Sequence, residues 1–318
     1  MDSEINKKLS IVIPTYNRDL FLDCSLESHI PLAKEFNIPL YVFDNASPDN
    51  TKEIVNKWMM KYEFLYYFRN KKNLGGDLNF ELALNKPDTE YIWLLGDSYK
   101  INKEVLVSVL EQSKFFYDMI LLNDNGRVTD VETQLISDKE YLLTSLGWNM
   151  TQMSTLIYNK KVIKNANYVR FYGTNFIQTG IALEYFAYQE NISVKWNKEL
   201  SIEVLRNKDL REKIGWQKNA FDIWIKKWAS FVLSLSPIYS LDGKLKTIQM
   251  HNQKGKVFSF KNLLKLRSKG FYSMKDYKKH KKYFDISIGN HAKFKFILIA
   301  FIPVKLVSFV NLMFKKRN

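Results

Sequence analysis

SIVIPTYNR, residues 10–18, is the stretch on which the reading of the fold turns. A short run of apolar β-formers, LSIVIP at 9–14, ends at Pro14, and the chain then becomes polar at Thr15, Tyr16, Asn17 and Arg18. A brief apolar run with a polar exit is the pattern of a buried strand that delivers a loop to one edge of a sheet. Outward from it the chain alternates in type. Residues 19–35 carry helical spacing through Leu20, Leu22, Leu26 and Ile30. Strands are predicted at 39–43, 63–68 and 90–95, and helices at 50–62 and 76–85. Buried strands that alternate with helices predict βαβ units and a mainly parallel, Rossmann-like α/β sheet flanked by helices. Polar clusters follow the strands at 15–18, 44–51 and 96–100. In open α/β sheets ligands bind there, outside the carboxyl ends of the strands. The second half is less regular, with helices predicted at 102–116, 138–146, 175–189 and 209–234 and strands at 118–122, 153–158 and 193–196.

Of 318 residues, 46% are hydrophobic and 15% aromatic, ample for a buried core and unlike a disordered or fibrous chain. Cys24 is the only cysteine, so no intrachain disulfide forms, and no Cys/His cluster has metal-ligand spacing. The opening MDSEINKK lacks the apolar stretch of a secretory signal. Together these features lead to the expectation of a reducing cytoplasm. The four histidines, His29, His251, His280 and His291, read as surface residues. Trp148, Trp216, Trp224 and Trp228 are candidates for an aromatic wall on which a ligand stacks, although the i, i+4 spacing of Trp224 and Trp228 favours core packing.

Charge is unevenly placed. Residues 244–318 hold 19 of the 48 Lys/Arg and 2 of the 33 Asp/Glu, which leaves 29 basic and 31 acidic residues in 1–243. A soft boundary is therefore expected near Asp242-Gly243. The tail FKFILIAFIPVKLVSFVNLMFKKRN, 294–318, has its longest apolar run from Phe296 to Val304, too short for the roughly 20 residues that span a bilayer. Basic and apolar together, this segment predicts an in-plane helix on an anionic membrane surface. Nucleic acid is not expected, because no helix-turn-helix, zinc finger or RNP-type motif is present.

Four constellations follow the predicted strands. SIVIPTYNR presents Pro14, Thr15, Tyr16, Asn17 and Arg18 at a strand end. DNASPDNT, 44–51, offers Asp44 and Asn45 as acceptors, with Ser47 or Asp49 as alternative helix caps. NKKNLGGDLNF, 70–80, places Asn73 before Gly75-Gly76, where backbone turns sharply or approaches a ligand closely, with Asp77 as a possible cap. YIWLLGDSY, 91–99, delivers Gly96, Asp97 and Ser98 from a very apolar strand, and Asp97 is placed to hold a divalent cation.

The order SIVIPTYNR, DNASPDNT, NLGG, WLLGD resembles the inverting family 2 glycosyltransferases of the GT-A fold, and among them the bacterial surface-polysaccharide, abequosyltransferase-like enzymes. The resemblance covers roughly residues 8–125, is looser over 126–235 and is absent from the tail. It implies that Thr15, Asn17, Asp44 and Ser47 contact base and ribose, and that Asn73 and Gly75 lie along the donor. It implies Mn or Mg at the position of the family's Asp-x-Asp motif, where this chain has Asp97-Ser98-Tyr99 and a single carboxylate. The family's base is an Asp at the start of a later helix, often in a Glu-Asp pair. The matching stretch, YGTNFIQTGIALEYF at 172–186, has no such pair; Asn175 and Gln178 stand in its early turns. Glu184 is the nearest carboxylate there, and Asp77 is an outside candidate.

The expected organisation is a nucleotide-sugar-binding half at 1–125, an acceptor-binding half at 126–243 and a membrane-associating tail at 244–318. The expected activity is transfer from a nucleotide-diphosphate sugar, UDP first and dTDP, GDP or CDP as alternatives, to a lipid-linked or polymeric glycan at the inner membrane face. A non-catalytic protein that binds nucleotide sugar or glycan is the alternative. Oligomeric state, sugar and linkage are not legible.

Overall fold

A computed structural model describes residues 5–205, 215–288, 290–304 and 306–307. The chain divides into two compact units, Met1–Arg211 and Glu212–Asn318. The charge boundary at 243/244 falls inside the second unit, within the first turn of a helix, so the change in composition and the change in packing do not coincide.

The first unit runs β1 (Leu9–Thr15), α1 (Asp19–Phe36), β2 (Leu40–Asp44), α2 (Thr51–Met59), β3 (Leu65–Arg69), α3 (Gly76–Asn85), β4 (Tyr91–Leu94), β5 (Tyr99–Lys100), α4 (Lys103–Gln112), β6 (Met119–Asp124), β7 (Gln134–Ile136), α5 (Lys139–Leu146), β8 (Leu156–Asn159), α6 (Lys160–Lys164), α7 (Ile177–Ala187) and β9 (Val194–Val204). Among the described residues the sheet order is β3-β2-β1-β4-β8-β6-β9-β5, with β7 also paired to β9. The block β3-β2-β1-β4 is entirely parallel, as the strand–helix alternation predicts. The antiparallel β8 then separates β4 from β6, so β6 points the same way as β4 and ends at the same edge. β1 is buried along its whole length, which explains its unbroken apolar run.

Three short elements escaped the sequence reading: β5, β7 and α6, each of two to five residues. β9 extends to Val204, well past the predicted 193–196. Its later residues alternate apolar and charged without forming a run, and they pair across a register shift at Leu122/Asn123.

His29 corrects an expectation, since it is buried rather than exposed. Its Nδ1 lies 2.6 Å from the Ser25 carbonyl and its Nε2 accepts the Ile101 N–H at 3.1 Å. This pairing fixes the neutral tautomer with the proton on Nδ1. The ring therefore ties α1 to the chain leading into α4.

The second unit is helical. A π-helical turn at Asp222–Lys227 leads into α8 (Trp228–Ser234), followed by α9 (Leu241–Lys254), α10 (Phe260–Ser268), α11 (Met274–Ile288) and α12 (Asn290–Phe301). Part of the predicted helix 209–234 lies outside the described residues. Phe221, Phe258, Tyr272, Phe284, Phe296 and Ile299 form its core. His251 and His280 are also buried rather than exposed; His251 stacks on Trp224 at 4.2 Å, and His280 donates from Nδ1 to the Asp276 carbonyl. The side chains of His291 and Trp216 lie outside the described residues. Trp148 and Trp228 are fully enclosed, each within its own unit, so neither belongs to an exposed sugar-stacking wall.

Candidate donor-binding site

The carboxyl ends of β1, β2, β4 and β6 each deliver polar side chains to one edge of the sheet, and three buried aspartates organise that edge. Asp44 ends β2 and is fully buried. Its Oδ1 accepts the Ser47 N–H at 2.7 Å, and its Oδ2 accepts from the Tyr67 hydroxyl at 2.6 Å and from Arg69 Nη1 at 2.7 Å. Arg69 is the residue opposite Asp44 in the parallel β2–β3 register, so strand pairing itself brings the two together. Arg69 Nη2 also donates to the Ser47 carbonyl at 2.8 Å. Burial, and then the bond to Asp44, push the Tyr67 phenol up to about 12. The carboxylate is thus inside, and the guanidinium is the group shown to solvent.

The first loop is locked to the second. Ser47 Oγ accepts the Asn17 N–H at 2.9 Å, and both Asn17 (φ 53°) and Ala46 (φ 63°) adopt the left-handed region. Asp49 accepts from the Thr51 and Asp19 N–H groups and so joins the two loops; the N-cap position of α2 is Asn50, which makes no side-chain cap bond. Asn45 reaches the third loop: its Nδ2 donates to Asn73 Oδ1 and the Gly75 carbonyl, and its Oδ1 accepts from the Leu74 N–H and from Asn70 Nδ2. Gly75 has φ 84°, the conformation that makes glycine the natural choice before α3. Asp77 is not the side-chain cap of α3; its Oδ2 accepts the Gly173 N–H at 2.6 Å, which joins the start of α3 to the loop preceding α7.

Asp97 follows β4 and Gly96. A Cβ on Gly96 would lie 2.8 Å from Met153 Cε and 3.3 Å from Ser154 Oγ, and its N–H donates to that same hydroxyl, so a side chain here would push the two loops apart. Asp97 is buried; its Oδ1 and Oδ2 each lie 2.9 Å from Arg18 Nε, and its Oδ2 also accepts from Thr15 Oγ1 at 3.0 Å. Burial raises the Asp97 carboxyl above the usual carboxylate range, against the opposing pull of Arg18 and Thr15. A third pair completes the edge: Asp124, at the end of β6, accepts from Arg127 Nη1 at 2.7 Å. Burial raises its carboxyl too, opposed by Arg127. The second and third pairs stand at the same edge two strands apart, since β8 lies between β4 and β6.

Residues 10–98 match the family model described as glycosyl transferase family 2. The chain is 30% identical over 177 residues to the abequosyltransferase RfbV of Salmonella typhimurium, covering 48% of this chain and 53% of that protein. It is 22% identical over 180 residues to a GalNAc(5)-diNAcBac-PP-undecaprenol beta-1,3-glucosyltransferase of Campylobacter jejuni, covering 52% and 56%. The matches thus span about half the length of these curated relatives. Among solved structures, the mannosyltransferase PcManGT of Pyrobaculum calidifontis, in complex with GDP-Man and Mn2+, superposes with a TM-score of 0.55 at 11% identity, covering 97% of this chain and 90% of that one. S. aureus TarS 1–349, in complex with UDP-GlcNAc, gives 0.52 at 16% identity, covering 98% and 92%. The fold is that of the GT-A glycosyltransferases.

Within the matched residues 10–98 the structure brings together Thr15, Asn17, Arg18, Asp44, Asn45, Ser47, Asn73, Gly75 and Asp97 through the bonds described above. Pro14 lies within β1, with Tyr16, Gly76 and Ser98 adjoining these residues in the same loops. Tyr16, Asn17, Asn73, Gly75 and Gly76 are exposed, whereas Thr15, Asp44, Asn45, Ser47 and Asp97 are buried and act by holding others. Glu184 is not brought to this edge. It lies two turns into α7, about 10 Å along the axis from the helix start, paired with Arg170 and lining a polar cavity of about 430 Å3 with Asn165, Asn167 and Tyr188. Asn165 and Asn167 follow α6, which continues from the end of β8; because β8 runs antiparallel to β4 and β6, this places the cavity toward the opposite edge of the sheet. Tyr67, Arg69, Asp124 and Arg127 were missed. Arg69 was legible in principle, as the residue just past the strand predicted at 63–68; Asp124 and Arg127 follow the strand predicted at 118–122, whose order in the sheet the sequence does not give.

Proposed function

We propose that this protein is a nucleotide-sugar-dependent, inverting glycosyltransferase that extends a lipid-linked or polymeric glycan in bacterial surface-polysaccharide synthesis. The observation that carries this reading is the interlocked set of strand-end loops, with Asp44–Arg69 at one end and Asp97–Arg18 at the other, within the residues that match the family 2 model. The base and ribose would lie against Asn17 and Arg69, with the donor running past Asn73 and Gly75 toward Arg18; UDP is the first nucleotide to test. In the chemical step an acceptor hydroxyl attacks the anomeric carbon, the bond to the diphosphate breaks, and the nucleoside diphosphate leaves with the electron pair. The hydroxyl proton passes to a carboxylate. Asp77, at the crevice edge and fixed to Gly173, is better placed for this than Glu184.

The test is release of free nucleotide from UDP-, GDP-, dTDP- and CDP-sugars. One donor is expected to be hydrolysed slowly, and Asp97→Ala to lose at least about tenfold of that rate, roughly 1.4 kcal/mol of transition-state stabilisation. Binding without turnover, with or without a glycan acceptor, would favour the non-catalytic reading, which the missing Glu-Asp pair supports. Absence of both binding and turnover would refute the proposal.

Membrane attachment would come through the second unit. Phe294, Leu298 and Phe301 recur at i, i+4 and i+7 on α12 and are 71%, 46% and 70% exposed, while Phe296, Ile299 and Ala300 are buried in the core. Among the described residues no helix is long and apolar enough to cross a membrane. With the basic excess of 244–318, this face fits in-plane attachment to anionic lipid at the inner face of the cell membrane. Vesicles containing anionic lipid should co-sediment the protein in a salt-sensitive way, and neutral vesicles should not. Phe294→Asp with Phe301→Asp should abolish the effect; equal binding by that variant would sink the assignment of this face.

A further inference from the structure

We propose that Arg18 and Arg127, each held by a buried strand-end aspartate, meet the diphosphate of the donor in place of a divalent cation. The inference rests on the nucleotide-sugar reading above and departs from the expectation of Mn or Mg at Asp97. The donor set does not fit such an ion. The sequence Gly96-Asp97-Ser98-Tyr99 supplies one carboxylate, and both of its oxygens already accept from Arg18 Nε, one of them from Thr15 Oγ1 as well. Among the described residues no group of three or more His, Cys, Asp or Glu is arranged to hold a metal. A cation at Asp97 would have to displace a guanidinium from a buried ion pair and then sit beside that same positive charge.

The arrangement instead supplies positive charge directly. Side-chain exposure is 7% for Asp97 and 7% for Asp124, against 27% for Arg18 and 41% for Arg127. In both pairs the carboxylate is buried and the guanidinium is the more exposed partner, with that of Arg18 lying over the Phe21 ring. β4 and β6 run in the same direction with only β8 between them, so the two strand-end pairs lie at the same edge of the sheet. A guanidinium binds phosphate oxygens through paired, charge-assisted N–H donors and stays charged at any working pH, so two of them match a diphosphate without a metal. The buried aspartates fix the two side chains in place before the ligand arrives.

Calorimetric titration of UDP, GDP, dTDP and CDP, each in chelator and in excess Mg or Mn, tests this. The nucleotide that binds should do so with the same affinity, within about twofold, in both conditions. The double variant Arg18→Gln/Asp97→Asn, which leaves no buried unpaired charge, should weaken binding in chelator by about tenfold or more, as should Arg127→Gln at its exposed position. Melting curves would confirm that each variant is folded, and the Arg127→Gln result stands even if the double variant is not. Binding that appears only with Mg or Mn would overturn this inference while leaving the nucleotide-sugar reading intact. Undiminished binding by both variants would also overturn it. No binding of any nucleoside diphosphate in either condition would overturn the reading on which it rests, and the inference with it.

Discussion

Asp44→Ala is expected to lower nucleotide affinity by about 100-fold, roughly 3 kcal/mol. Asp44 is fully buried, so its effect on ligand passes through the groups it holds. Without it, Arg69 loses the acceptor that aims it, Tyr67 loses a hydrogen bond in a half-buried site, and the Ser47 N–H that shapes the second loop is left unmatched. Leaving the Ser47 N–H and the Tyr67 hydroxyl without this acceptor also lowers stability, by about 1–3 kcal/mol. Asp44→Asn separates the two effects, because it keeps the shape and one acceptor while removing the charge that orients Arg69. Calorimetry and denaturant unfolding should show Asp44→Asn nearer to wild type in stability than in affinity. A variant that keeps full affinity despite the lost charge would show that Asp44 shapes the loop and contributes nothing to recognition.

The second large effect concerns acid. His29 in the folded chain is lowered to about 4 by burial, against the bond to Ser25, with Lys100 adding to the depression. In the unfolded chain it titrates near 6.5. Between these values the unfolded state binds a proton that the folded state refuses, so stability is full above about pH 6.5 and falls as pH drops toward 4. The loss over that window is about 3 kcal/mol. The physical reason is visible at Nε2, which accepts the Ile101 N–H and would meet a second donor if protonated. The raised carboxyls of Asp97 and Asp124 act with opposite sign, because a folded state that binds protons more readily gains on acidification. Comparison with His29→Gln, which keeps an acceptor for Ile101, isolates the histidine. Unfolding free energies from pH 7 to 4 should fall less steeply in the variant, and parallel slopes would show that His29 does not carry the acid sensitivity.

Much of the first unit was legible because its signals are local. Each parallel strand is a short apolar run with a polar exit, and each exit residue that chemistry singled out lies at the sheet edge. The partners of those residues were harder to see. Arg69 meets Asp44 through strand register, and Arg18 meets Asp97 across 79 positions of sequence, and neither encounter leaves a spacing motif. Glu184 failed for the same reason: its nearness in sequence to the expected base says nothing of which end of α7 reaches the crevice. The histidines were misjudged because a polar ring in a charged segment looks solvated until its neighbours are known, and Trp224 and Ser25 are such neighbours.

Asn17 and Ala46 sit in left-handed conformations without being glycine, each at a penalty of about 1–2 kcal/mol, and they flank the Asn17–Ser47 hydrogen bond that offsets part of it. Loops strained in this way hold a single shape in the empty protein. On the proposed function, an incoming nucleotide is therefore expected to meet a preset surface and to give up little free energy to ordering the chain. Capture should proceed at a rate governed by diffusion and by the pull of the arginines on an anion, falling with ionic strength, and without the slow second phase that a folding loop would impose.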